Sequence, residues 1–178
     1  MKLKDKRKQR EFMKAYEPIH ENFVRFCKAK AYGVMGFDDL VNESVLKAYQ
    51  HWVKINNKDS LLYFLFTTAR NIVLNTVRKK KEVTLDEQGH SHYVAESTVE
   101  NDLEIAYLYR QMDKLSETKK EALILFEING FSIKEVAQIQ DSTEGAVKVM
   151  LSRARKELKA LMVDEPQYAT ADALLNEG

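Results

Sequence analysis

Apolar residues recur along the first thirty positions at Phe12, Tyr16, Ile19, Phe23 and Phe26, in steps of three and four that predict a helix with one buried face. Pro18 falls inside this run. Its missing N–H suits a first helical turn, so a new helix is expected to open there and to stop at "YGVMG". A second helix is expected over "DDLVNESVLKAYQHW", with Asp38 as N-cap and Val41, Val45, Ala48, Tyr49 and Trp52 inward. "KINNKDS" reads as a loop. Ser60 or Asp59 would then cap a third helix that buries Leu62, Leu65, Phe66, Ala69, Ile72, Val73 and Thr76 and ends in four cations at Lys81.

The periodicity then lapses. "KEVTLDEQGHSHYVAESTVENDLE" is polar and acidic, and it resumes as helix near Asn101. "DLEIAYLYRQMDKL" precedes "SETKKEALILFEING", in which Ser116 should cap and Gly130 should stop the helix. "SIKEVAQIQDSTEGAVKVMLSRARKELKALM" splits into a short helix, a turn at "QDST" and a longer helix. Nothing alternates with the period of a strand. The predicted class is all-α: two small helical bundles, residues 1–81 and 101–162, joined by a flexible acidic linker over 82–100. A C-terminal tail covers 163–178.

Charge sharpens this division. The whole chain carries a formal +1, yet residues 1–81 hold 18 Lys+Arg against 8 Asp+Glu, and residues 82–104 hold 7 acidic residues and no Lys or Arg. Blocks of opposite sign point to separate modules, one of which faces an anion. A helix dipole explains one or two cations in a last turn, at roughly 0.3–1 kcal/mol each; it does not explain four. No apolar run approaches the roughly 18 residues of a membrane span, no apolar signal core follows the basic start, and a lone Cys27 excludes an internal disulfide framework. The expected home is the cytosol.

In the second module the short helix, tight turn and long helix have the pattern of a helix-turn-helix, whose second helix enters the major groove. Val147, Leu151, Ala154 and Leu158 would face Val136, Ala137 and Ile139. Lys148, Val149, Ser152, Arg153, Arg155, Lys156 and Lys159 would face out, with Ser142 or Thr143 as N-cap. Val149 stands apolar among cations, suited to a thymine methyl. An ordinary helical hairpin with a solvated basic face would share this pattern.

Three stretches, in this order, resemble the bacterial RNA polymerase sigma factors of the small extracytoplasmic-function (ECF) class: "FDDLVNESVLKAY", "YFLFTTARNIVLNTVRKKK" and "GFSIKEVAQIQDSTEGAVKVMLSRARKEL". The resemblance spans about Phe12 to Met162. It implies that Asp39, Asn42 and Glu43 dock on core RNA polymerase. It implies that Arg70, Asn71, Asn75, Arg78, Lys79, Lys80 and Lys81 meet the minus-ten element of promoter DNA. The preceding loop, with Lys54, Asn56, Asn57 and Lys58, would capture an unstacked base. Ser142, Thr143 and Glu144, together with Lys148 to Lys159, would read the minus-thirty-five element. An anti-sigma factor is implied as a further partner. Asp141 in place of the usual turn Gly, Ala146 in place of Thr, Val149–Met150 in place of "SR" and Phe64 in place of Trp depart from the family pattern.

No catalytic group is expected. The "HSH" pair, His90 and His92, has no nearby Cys or third ligand, Cys27 has no evident partner, and no Gly-rich phosphate loop occurs. No cofactor, metal, small-molecule substrate or direct membrane insertion is anticipated. A stand-alone helix-turn-helix regulator is the competing reading, and it would have no use for the Asp39/Asn42/Glu43 surface.

Overall fold

A computed structural model describes residues 3–55, 57–86 and 103–163, and all secondary structure among these residues is helical. The order is α1 (Leu3–Ala31), α2 (Phe37–Ile55), α3 (Lys58–Asp86), α4 (Leu103–Met112), α5 (Glu117–Leu123) with a π turn at Ile124–Ile128, α6 (Ile133–Ile139) and α7 (Glu144–Val163). Contacts divide the chain into two compact units, residues 1–98 and 99–178.

In the first unit α1, α2 and α3 pack pairwise. The expected stripe of α1 is buried throughout: Phe12, Tyr16, Ile19, Phe23 and Phe26. Pro18 does not open a new helix, because α1 runs unbroken through it. Its side chain is exposed, so the carbonyl of Lys14 that loses its helical donor can be served by water, and the usual penalty for an interior proline is softened. Phe12 packs against Trp52 and Tyr49 of α2, with ring centroids 5.5 and 5.4 Å apart. Phe23 and Phe26 pack on Phe66 of α3, at 5.4 and 4.7 Å.

The start of α2 also differs from expectation. Leu40 N–H donates to the Gly36 carbonyl (3.2 Å), so the helix opens at Gly36 and Asp38 lies within the first turn instead of capping it. The buried face is Leu40, Ser44, Ala48, Trp52 and Ile55; Val41, Val45 and Tyr49 are half-buried flanks. An apolar count passes over Ser44, yet it is fully buried on that face. The connection to α3 is two residues long, not seven. Asn57 caps α3, its Oδ1 accepting from Ser60 N–H at 2.8 Å, in the role assigned to Ser60 or Asp59. Leu61, not Leu62, heads the buried stripe of Leu65, Phe66, Ala69, Ile72 and Val73, and Thr76 is half-buried with its hydroxyl on the Ile72 carbonyl. Helix α3 continues to Asp86, five residues into the expected linker; the remainder of that linker, with His90 and His92, lies outside the described residues, as does the tail from 164.

In the second unit Ser116 occupies the N-cap of α5 with extended backbone but makes no side-chain cap bond. The buried ammonium of Lys120 instead pairs with Asp113 across the α4–α5 turn. Gly130 ends the α5–π segment at φ +73°, a left-handed value open to glycine at no steric penalty. Ser132 and Glu135 form a reciprocal capping box at the start of α6. Asp141 carries the left-handed turn between α6 and α7 at φ +51°. Thr143 Oγ1 accepts from Ala146 N–H at 3.2 Å and caps α7. Val147, Leu151 and Ala154 are buried beneath α7, opposite Val136, Ala137 and Ile139 of α6.

Candidate nucleic-acid and polymerase interface

Asp39, Asn42 and Glu43 are exposed on one face of α2, as their spacing of three and four requires. Glu43 shares a hydrogen-bonded ion pair with Lys47 (2.7 Å), both side chains nearly half exposed. Such a surface pair is worth about 0–1 kcal/mol and is readily exchanged for another partner. The same face carries two exposed apolar residues that the sequence reading passed over, Leu46 and Val53. Their signal was available: each falls off the buried stripe, seven and fourteen residues from Asp39. Asn42 and Leu46 also line an apolar groove of about 570 Å³ with Met13 and Tyr16 of α1.

The α2–α3 connection exposes Lys54, Asn57 and Lys58. Lys54 and Lys58 are terminal helical residues and Asn57 is committed to capping; Asn56 lies outside the described residues. Along α3, Asn71, Asn75, Arg78 and Lys79 are exposed in one row, and Arg70 is half-buried. Arg78 Nη2 donates to Asn75 Oδ1 at 2.7 Å, so the guanidinium is partly ordered before any ligand arrives. Lys81 is exposed. Lys80 projects elsewhere, its ammonium donating to the Val34 carbonyl at 2.6 Å and tying the end of α3 to the α1–α2 turn.

On α7, Lys148, Val149, Ser152, Arg153, Lys156 and Lys159 are exposed, as are Ser142, Thr143 and Glu144 at its start. Val149 is 49% exposed, an outward apolar position with no internal purpose. Arg155 is exposed as well, but its side chain is engaged. Its Nε donates to Glu127 Oε1 (2.7 Å), its Nη2 lies 2.6 Å from the same oxygen, and its guanidinium sits 5.3 Å from the Phe126 ring. On the opposite flank Glu157 pairs with Lys119 of α5.

Other reactive groups are quiet. Burial pushes the Cys27 thiol well above its ordinary value, the reverse of what a nucleophile needs. Burial, and then the nearby Cys27, raise the Tyr16 phenol to about 12, and its hydroxyl meets His20 Nδ1 at 2.9 Å. Among the described residues no three His, Cys, Asp or Glu side chains gather as a metal site, and no helix is long and apolar enough to cross a membrane.

Two cation-bearing helical units, one with a carboxylate face and one with a helix-turn-helix, define the class of promoter-recognition factors built from sigma-70 regions. Residues 16–83 match the sigma-70 region 2 family and residues 105–158 match sigma-70 region 4. The chain is 34% identical over 128 residues to the ECF RNA polymerase sigma factor SigM of Bacillus subtilis, covering 70% of this chain and 78% of that one. It is 32% identical over 127 residues to the ECF sigma factor EcfG of Rhodopseudomonas palustris, covering 70% of each. The chain belongs to the ECF RNA polymerase sigma factors. Among solved structures it resembles the sigma factor RpoE bound to the anti-sigma factor NepR from Bartonella quintana, with a TM-score of 0.71, 25% identity, and 86% of this chain and 99% of that one covered. CnrH, in complex with the cytosolic domain of CnrY, shares the fold at a TM-score of 0.65 and 22% identity, over 88% of this chain and 91% of that one.

Proposed function

We propose that this chain binds core RNA polymerase through α2 and directs it to promoters, holding opened strands with α3 and reading the minus-thirty-five element with α7. The observation that carries this reading is the face formed by Asp39, Asn42 and Glu43 with Leu46 and Val53. A regulator that binds duplex DNA alone has no use for exposed carboxylates beside exposed aliphatic groups. Carboxylates suit a basic partner helix, and the aliphatic pair adds area removed from water at about 25 cal/mol per Å².

On the DNA side the row Asn71, Asn75, Arg78 and Lys79, flanked by Arg70 and Lys81, combines amides for base edges with cations for phosphates. Phosphate contacts position, and base contacts specify. Lys54, Asn57 and Lys58 stand near an unstacked base, as does Asn56 by its place in the chain. In the second unit Ser142 and Thr143 meet phosphate at the N-terminus of α7, Glu144 stands at a base edge, and Lys148, Val149, Ser152, Arg153, Lys156 and Lys159 follow the groove. The protein itself makes and breaks no covalent bond; it offsets the few kcal/mol of each unstacked step with captured bases and neutralised phosphates. The division of labour is residues 1–81 for polymerase and the minus-ten element, 101–162 for the minus-thirty-five element and 82–100 as tether. The likeness to RpoE, solved with the anti-sigma factor NepR, supports such a partner here, and a cytoplasmic home follows from the polymerase.

The test is co-purification of the full chain with core polymerase, followed by transcription from a promoter selected out of random-sequence DNA by the resulting holoenzyme. Retention on core, lost in D39K/E43K, and specific initiation are expected. A chain that binds selected duplex equally well without polymerase, and never associates with core, would overturn the reading in favour of a stand-alone regulator.

A further inference from the structure

Glu127 and Lys119 both belong to the continuous α5–π segment, eight residues or about 12 Å apart, close to the 10–12 Å diameter of one helix with its side chains. Their partners, Arg155 and Glu157, stand two residues apart on α7 and so point about 200° away from each other around its axis. The buried direction of α7, through Val147, Leu151 and Ala154, lies between them. One ion pair therefore grips each flank of the helix, Arg155 on Glu127 and Glu157 on Lys119.

We infer that Arg155 is a positioning residue and not a phosphate ligand: with Glu127, and opposed by Lys119–Glu157, it fixes the roll of α7 so that Val149, Ser152 and Lys156 face the base edges. This rests on α7 being the reading helix of a sigma factor. Three observations support it. Nε of Arg155 donates to one Glu127 oxygen, Nη2 lies 2.6 Å from the same atom, and the guanidinium carbon is 5.3 Å from the centre of the Phe126 ring, so this half-exposed side chain has two neighbours on the α5–π segment where a lone surface pair has one. Arg155 lies on the flank of the buried stripe, whereas Lys156 and Val149 lie opposite that stripe. Roll matters because side chains are about 100° apart around a helix, so a turn of a few tens of degrees exchanges which residue meets a given base pair. The packed stripe of Val147, Leu151 and Ala154 also resists rotation by steric fit, and the two ion pairs add directional constraints on either side of it.

The two roles predict opposite results. A phosphate-binding arginine contributes about 0.9 to the slope of log affinity against log salt; a positioning arginine contributes none. The experiment uses holoenzyme made with the full chain, a duplex carrying the selected minus-thirty-five element, and a set of single-pair mismatches within it. Arg155→Gln should leave the salt slope unchanged while reducing discrimination against mismatches at least about threefold, from the fivefold or more ordinarily carried by one pair. Glu127→Gln should do the same, although it removes a negative charge from a DNA-binding unit. The exchanged pair E127R/R155E, which keeps net charge, should recover most of the lost discrimination. A slope lowered by about 0.9 in R155Q, tighter binding with a steeper slope in E127Q, or an exchanged pair worse than either single change would each overturn the inference. Failure of the parent chain to bind core polymerase would instead sink the functional reading on which it rests.

Discussion

Replacing both Arg78 and Lys79 by Ala tests the α3 surface most directly. Both side chains are exposed, and Arg78 donates to the exposed amide of Asn75, a partner that water can replace. Substitutions of this kind are ordinarily within about 0.5 kcal/mol of neutral for stability, so the thermal midpoint of the first unit should barely move. Binding should move in a defined way. Two phosphate contacts on duplex contribute about 1.8 to the salt slope, or about 1.4 where the strands are already separated. Between about 50 and 200 mM salt the difference between parent and variant should thus narrow about twelvefold on duplex, or about sevenfold on melted DNA. The assay is an anisotropy titration of holoenzyme on two promoter fragments, one fully paired and one opened at the minus-ten element, at four salt concentrations. Lys80→Ala is the contrast: its ammonium is engaged at Val34, so its effect on slope should fall below that of Lys79→Ala. A slope unchanged in the double variant would remove this surface from the DNA interface. A large fall in thermal midpoint would show that the two cations serve the fold.

Two further outcomes follow from the cores and turns. Cys27 should resist iodoacetamide at pH 8 in the folded chain and react once the first unit is unfolded, because burial disfavours the thiolate. Its native pKa is raised, so its contribution to stability is complete below the ordinary 9.0 and is lost as pH climbs toward the native value; alkylation of native protein at the rate of free cysteine would contradict the burial. Asp141→Gly should hold or raise the thermal midpoint of the second unit, while Asp141→Ala should destabilise that unit by roughly 1 kcal/mol and lower its midpoint, since φ is +51° there; equal midpoints for the two variants would show that the turn relaxes.

The helical class, the two modules and the outward α7 face were legible because period and charge are repeated over many residues. Where single side chains decide, the sequence misled. Pro18 looked like a start because its own chemistry is local, whereas the buried residues on either side of it carry the helix through. Ser44 reads as polar but is buried, and Val41 reads as core but sits on a flank, a one-position rotation that an apolar count does not resolve. The cap of α3 was expected at Ser60 or Asp59, whereas the Asn57 carboxamide fills it, a choice among neighbouring polar residues that no period resolves. The π turn at Ile124–Ile128 has no periodic signal, being one extra residue within a run that is apolar apart from Glu127. Arg155 and Lys80 belong to basic clusters by composition; both are exposed, and only their acceptors, Glu127 and the Val34 carbonyl, show that each already has a protein partner.

The proline in α1 falls between two packing partners. Before it, Phe12 leans on α2; after it, Phe23 and Phe26 lean on α3. A missing rung in the ladder lowers bending stiffness at that level and nowhere else. The rod can therefore yield at that one level while the aromatic contacts above and below it stay seated, without an intervening loop.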